Sequence, residues 1–493
     1  MLKETRQLLT KSSIYSIGNI LIKLVAFLLI PLYARKLAPD EYGVVAILEL
    51  LELLGKPLLG LGLSQSILRF LNQYKSKNKA DELVFTNLIF LFVFNLIFLG
   101  SLYIYPDFWV RQFLSLTPEN IVFFRYILLI IFFGMFQGIF VVLLQAEEKA
   151  FSFVVFTLIH FLLLLGLNIY KVGILNQGVL GIVESKLYVG ILSFSYIMIY
   201  FIKRFRLKFS RGVLSESLQY GLPLIFVGVS LTLLTLADRY FLKIFRNMTE
   251  VGIYSMSYRF GMIMNMVLIT PFRQAFSPMM FRLADEMDIK KLYRKYFTYF
   301  LLAGFIFFLF LSMFAREILL IVTTPEYAQG AIIIPLITFA YLLFGLRSIF
   351  TNALATMKKT KIIASTTILG ALLNIILNMI LIPQMGILGA AIATVVSYFV
   401  ITIFNYFPLQ KIYPIPWDWP RALKIITIGF FLYGLSFLIK IDNIFISMAL
   451  KFVLLVVYPV LLYYFGFFHQ TELEQIGIKL RGKENEKKPS SYS

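Results

Sequence analysis

There is no cysteine anywhere in this 493-residue chain, and histidine occurs only twice. The first absence excludes disulfides, thiol nucleophiles and thiolate metal sites. The second leaves no material for a histidine-bound zinc centre. His160 falls inside an apolar run and is read as a hydrogen-bonded packing residue, while His469 lies at the end of the last run. Charge is scarce as well, at 15% of residues against roughly 25% in soluble proteins. No connection between apolar runs is long enough to fold alone, so no separate catalytic domain is expected, the chain is not read as an enzyme, and no organic cofactor is implied.

What the chain has instead is 59% hydrophobic and 17% aromatic residues. These are arranged in fourteen runs, the first near 12–33 and the last near 443–467, each close to the roughly 20 apolar residues that cross about 30 Å of hydrocarbon as a helix. The fold class expected is an all-α integral membrane protein with fourteen transmembrane helices. The first run follows Lys3, Arg6 and Lys11, yet it carries Lys23 at its middle and lacks an A-x-A-like cleavage site, so it reads as helix 1 and not as a signal peptide.

A net charge of +20 could mark a nucleic-acid binder, so the positions of the 46 Lys and Arg residues decide. Most lie in the N-terminal segment, the even-to-odd loops and the tail, which by the positive-inside rule places both termini in the cytoplasm. Basic loops such as KRFRLKF (203–209) are topology signals facing the anionic leaflet. Nucleic acid is not expected as a partner; membrane lipids are. The tail RGKENEKKPSSYS has too little apolar surface to fold.

The chain also repeats itself. VGILNQGVLGI (172–182) returns as ILIPQMGILGA (380–390), matching Ile174, Gly178, Leu180 and Gly181 to Ile382, Gly386, Leu388 and Gly389. Upstream, DEYGVV (40–45) returns as TEVGIY (249–254), matching Glu41 to Glu250 and Gly43 to Gly252. The offsets, 208 and 209 residues, nearly agree and span six helices, an even number, so the halves keep one orientation in the membrane. The expected organisation is an N-terminal lobe over 1–210 (helices 1–6), a C-terminal lobe over 211–410 (helices 7–12), helices 13–14 over 411–468 and a cytoplasmic tail over 469–493. Two facing parallel six-helix lobes are the architecture of an alternating-access carrier.

Polar side chains inside the spans locate the candidate site, because a charge at mid-bilayer costs roughly 2.5 to 3.5 kcal/mol on insertion scales and tends to face a cavity or partner. Ser12, Ser16, Asn19 and Lys23 stack along one face of helix 1. Helix 2 carries Glu49, Glu52 and Lys56, with Glu52 and Lys56 spaced for an intrahelical ion pair. Arg259 lies within helix 8, Arg347 within helix 10, and Thr367, Asn374 and Asn378 within helix 11. Arg125, Glu184 and Lys186 sit near outer ends, where snorkelling is cheap, and are equally readable as interfacial groups. The deep cations outnumber the acids, so an electropositive cavity is expected, suited to phosphate or carboxylate because a guanidinium can donate two bonds at once. The alternative, in which Arg259 and Arg347 pair with neighbouring helices and only hold the lobes together, stays open at this point.

LAPDEYGVVA after helix 1, LADRYFLKIF…EVGIYSMSYR from helix 7 into helix 8, and GILGAAIAT opening helix 12 resemble the polysaccharide-transporter branch of the multidrug/oligosaccharidyl-lipid/polysaccharide exporter superfamily. The resemblance covers essentially the whole chain, and its most specific part is Ala237 to Leu242 with Val251 to Tyr254. It implies an O-antigen or capsule type flippase in a prokaryotic cytoplasmic membrane, moving undecaprenyl-pyrophosphate-linked oligosaccharide outward, with a glycan polymerase and chain-length machinery as further partners. In that reading Lys23, Lys56, Arg259 and Arg347 hold pyrophosphate or acidic sugars, and Asn19, Asn374 and Asn378 contact sugar hydroxyls. Glu49 or Glu52 would bind a coupling Na+ or H+. A lipid II flippase, a cation-coupled drug antiporter and, from another class, a membrane glycan polymerase are the alternatives.

Overall fold

The computed structural model describes residues 28–115, 117–284, 288–439, 441 and 443–468. Ser12, Ser16, Asn19 and Lys23 of the expected helix 1, and the tail from 469, lie outside the described residues. Every regular element among the described residues is helical. In order they are α1 (residues 28–36), α2 (Pro39–Leu59), α3 (Leu63–Lys75), α4 (Ala80–Ile104), α5 (Asp107–Phe113), α6 (Pro118–Ala146), α7 (Ala150–Asn168), α8 (Gly178–Arg204) and α9 (Arg211–Phe245). There follow α10 (Met248–Met264), α11 (Thr270–Arg282), α12 (Ile289–Met313), α13 (Ala315–Val322), α14 (Ile333–Thr356), α15 (Thr360–Met385), α16 (Ile387–Ile412), α17 (Trp419–Ser436) and α18 (Ile444–Tyr464).

Ten of the described helices are long and apolar enough to cross a membrane, and the chain is a multi-pass membrane protein. Two of the remaining expected spans differ for visible reasons. Helix 2 is interrupted between α2 and α3, where Pro57 withholds one backbone donor and Gly60 to Gly62 end the first piece. Helix 8 is likewise divided by a π turn at Asn265–Ile269, just ahead of Pro271. Both carry the charged groups that matter below, and charge is what keeps them from reading as plain lipid spans.

By packing, the described residues form two compact units, one within 28–284 and 315–414, the other within 288–314 and 415–468. No packing boundary falls at residue 210. In the second unit α12 packs on α17 and α18. There Arg294 bonds Asp418 at 3.0 Å, and Tyr458 donates to the Ile425 carbonyl at 3.0 Å.

Within the first unit the two copies of the repeat occupy matched positions. Gly178 opens α8 and Gly386 opens α16, each at φ +55°, a region that a side chain strongly disfavours. Glu41 of α2 lies beside Gly178, and Glu250 of α10 lies beside Gly386. The residues that recur in sequence therefore meet in space: in each half an acid from the first turn of one helix faces the glycine that starts another. The halves also touch each other through repeat-related residues. A Cβ on Gly252 would overlap the Pro39 carbonyl and come 3.0 Å from the Gly43 nitrogen, so α2 and α10 cross with backbone against backbone. A second contact between the halves ties α3 to α9: Ser66 Oγ donates to the Ser217 carbonyl at 2.7 Å, and Tyr74 to Glu216 at 2.5 Å.

Candidate functional site

Between these two contacts lies a cavity of about 600 Å³ lined by Glu49 and Glu52 of α2, Lys186 of α8, Thr235 and Arg239 of α9, Tyr258 and Arg259 of α10, and Tyr341 of α14. Elements from both halves of the repeat supply charged groups to it. A second recess of about 660 Å³ is acidic, with Asp40, Glu41 and Glu119. A groove of about 500 Å³ between α7 and α8 is largely apolar. In that groove His160 Nδ1 meets Ser193 Oγ at 2.9 Å, the packing role expected for it.

The charges in the central cavity are paired. Arg259 donates from one nitrogen to both oxygens of Glu49 at 2.7 and 2.6 Å, joining α10 to α2. Its guanidinium also lies 5.5 Å from the centre of the Tyr42 ring. Glu52 is held twice, by Lys56 at 2.7 Å on its own helix and by Lys186 at 2.8 Å from α8. Arg239 bonds Asp238 at 3.1 Å and the Thr235 carbonyl at 3.0 Å, with its guanidinium 4.6 Å from the Tyr258 ring centre. Tyr254 donates to the second oxygen of Asp238, and Tyr341 donates to Tyr258 at 3.2 Å. Desolvating these groups is expensive, and the close geometry of each pair offsets part of that cost.

The expected site residues fall in different places. The cavity is not a field of unpaired cations: counting the groups above, Lys56, Lys186, Arg239 and Arg259 face Glu49, Glu52 and Asp238, an excess of one. Glu49, which has no basic partner spaced for it on its own helix as Glu52 has, is held at both oxygens by one nitrogen of Arg259. Neither Glu49 nor Glu52 stands free to take a coupling cation in this state. Lys186, readable as interfacial, is a cavity residue. Arg347 of α14 does not line the cavity; it is 6% exposed and donates to Thr367 Oγ1 at 2.5 Å. Asn374 and Asn378 of α15 are buried and bond each other at 3.0 Å, also outside the lining set.

Sequence reasoning missed Asp238 and Arg239 as a site. Their signal was an adjacent acid and base inside an apolar run, which reads from sequence as a helix end. Neutralising Lys186 tests the network directly. Lys186→Met should leave Glu52 with Lys56 alone and reduce transport at least fivefold, and Glu52→Gln in the same background should restore protein abundance on membrane blots, because it removes the stranded carboxylate.

Long apolar helices that enclose a charged cavity built from two halves of one chain define a multi-pass carrier fold. Comparison with solved structures agrees. The chain aligns with a lipid II flippase, MurJ, in an inward closed conformation at a TM-score of 0.76 and 15% identity, covering 91% of this chain and 98% of that one. It aligns with an inward-facing multidrug resistance MATE family transporter at 0.63 and 14%, covering 84% and 96%. Such low identity speaks for the fold alone. The family described as "Polysaccharide biosynthesis protein" matches residues 8–284, and the MatE family matches 223–380. The chain belongs to the first, and so to the polysaccharide-transporter branch of the multidrug/oligosaccharidyl-lipid/polysaccharide exporter superfamily.

Curated relatives are partial matches. An uncharacterized membrane protein of Methanocaldococcus jannaschii is 26% identical over 250 residues, 49% of this chain and 48% of the relative. A probable low-salt glycan biosynthesis flippase of Haloferax volcanii is 27% identical over 137 residues, 27% of this chain and 29% of the relative. The chain thus spans less than half the length of the curated relatives it matches.

Proposed function

We propose that this protein is a flippase that carries a lipid-linked oligosaccharide, held on undecaprenyl pyrophosphate, from the inner to the outer leaflet of a prokaryotic cytoplasmic membrane. The observation that carries this reading is the convergence of Lys186, Arg239 and Arg259 on one cavity between the two halves. A pyrophosphate offers what these side chains need to leave their present partners: a doubly charged acceptor whose oxygens fit a guanidinium fork. Exchange of Glu49 for phosphate at Arg259 would break the one ion pair described between α2 and α10, which couples cargo binding to separation of the halves. Thr235 and Asn265 supply uncharged groups suited to sugar hydroxyls, and Lys23 with Asn19 would join them from helix 1. The lobes rock about the cavity, and the lipid tail stays in the bilayer through a lateral opening. The glycan polymerase and chain-length machinery would act on the product. A drug antiporter for cations is disfavoured by the cation excess around the cavity.

Mass spectrometry of undecaprenyl-linked intermediates in cells lacking the gene, with and without a complementing copy, tests the proposal. A lipid-linked oligosaccharide should accumulate severalfold in the deletion and return to its normal level on complementation. An unchanged lipid pool together with raised sensitivity to cationic drugs would overturn it.

A further inference from the structure

Helices α11, α14, α15 and α16 contain no Asp or Glu along their whole lengths, and α14 packs on each of the other three. Within this acid-free group stand two arginines. Arg347 is buried, spends one nitrogen on Thr367, and leaves Nε without a partner. Arg273 of α11 is exposed, and its guanidinium lies 5.7 Å from the centre of the Phe344 ring. Phe344 precedes Arg347 by three residues, one turn back on the same face of α14. Its ring packs 5.5 Å from Tyr398 of α16, so Arg273 and Arg347 flank one aromatic patch.

Arg273 is nine residues before the end of α11 at Arg282, and Arg347 is nine before the end of α14 at Thr356. Both helices run toward basic segments read as cytoplasmic, which puts the pair about 13 Å in from those ends at ~1.5 Å per residue. A buried guanidinium with an open donor, a second cation against the Phe344 ring one turn away and no acid on α11, α14, α15 or α16 is costly in a membrane. An anion offsets that cost, and at this depth the available anions are lipid phosphates.

We propose that Arg273 and Arg347 form a docking site for the phosphate or pyrophosphate headgroup of a lipid in the inner leaflet, separate from the cavity around Arg259. Arg273 makes the contact, and Arg347 holds a fixed positive charge behind it. As a loading station for cargo the site rests on the transport reading; as an anion site it does not.

Native mass spectrometry of the full chain tests this, with farnesyl pyrophosphate, phosphatidylglycerol, phosphatidylcholine and farnesol as probes. The wild type should retain two farnesyl pyrophosphates, and Arg273→Gln and Arg259→Gln one each, with the affinity of the lost site down about tenfold or more. Because Arg273 is exposed, its replacement removes little packing beyond its contact with the Phe344 ring. A tenfold preference for pyrophosphate over phosphatidylglycerol at the Arg273 site identifies cargo; equal retention of both, lost together in Arg273→Gln, identifies a bilayer lipid headgroup, and either supports the site. Loss of a bound probe in Arg273→Gln but none in Arg259→Gln keeps the site and sinks the cavity reading. Unchanged retention in Arg273→Gln, or equal retention of phosphatidylcholine and farnesol, overturns the proposal.

Discussion

Arg259→Ala is expected to reduce glycan export more than tenfold in cells. Two different roles of this arginine produce that loss, and a double substitution separates them. As a structural tie, Arg259 neutralises Glu49 through two bonds under 2.8 Å; the pair is half-buried, so removing one member and stranding the other costs less than the roughly 3 to 5 kcal/mol of a fully buried pair. Glu49→Gln with Arg259→Gln strands neither charge, so protein abundance should recover toward wild type. Export should not recover, because a glutamine pair has no positive charge to offer a pyrophosphate. Quantitative blots of membranes beside a surface-glycan assay read both quantities. Recovery of export in the double variant would reduce Arg259 to a structural tie and remove it from the cargo site.

Gly252→Ala should have an effect of similar size by another route. Its added methyl would overlap the Pro39 carbonyl and crowd the Gly43 nitrogen at 3.0 Å, neither of which is a side chain that can rotate away. The ends of α2 and α10 must separate, which weakens the state in which that end of the cavity is closed. The chain's lack of cysteine makes this measurable without background labelling. A cysteine introduced at Thr235, inside the cavity, should react with an impermeant thiol reagent from the outer side at least tenfold faster in the Gly252→Ala variant, and export should fall. An unchanged labelling rate would mean that the glycine contact is not the outer closure.

The membrane class of this protein was legible because hydrophobic length is a local property: each run of apolar residues must be buried wherever it ends up, so no tertiary knowledge is needed to see it. The repeat was legible for a related reason. Gly178 and Gly386 satisfy a backbone demand at φ +55° that no other residue meets as cheaply, so the motif survives in sequence form. The Glu52–Lys56 bond was readable too, since i and i+4 fix its geometry on one helix.

Partners across helices were another matter. Glu49 meets Arg259 at a separation of 210 residues, and Lys186 meets Glu52 at 134. Nothing in the spacing of either residue reveals the other, and depth in the membrane is all that composition and position provide. Depth placed Arg259 and Arg347 in the same class, yet one lines a charged cavity and the other sits buried beside Thr367. Asp238 and Arg239 were hidden by proximity, since neighbours in sequence look already neutralised. By itself the sequence determined that the chain spans the membrane many times, that it is built from two similar halves, and which residues are charged at depth. Only the tertiary structure decided which of those charges face one another, because an ion pair in low dielectric depends on the last few ångströms of approach between helices that the chain brings together from far apart.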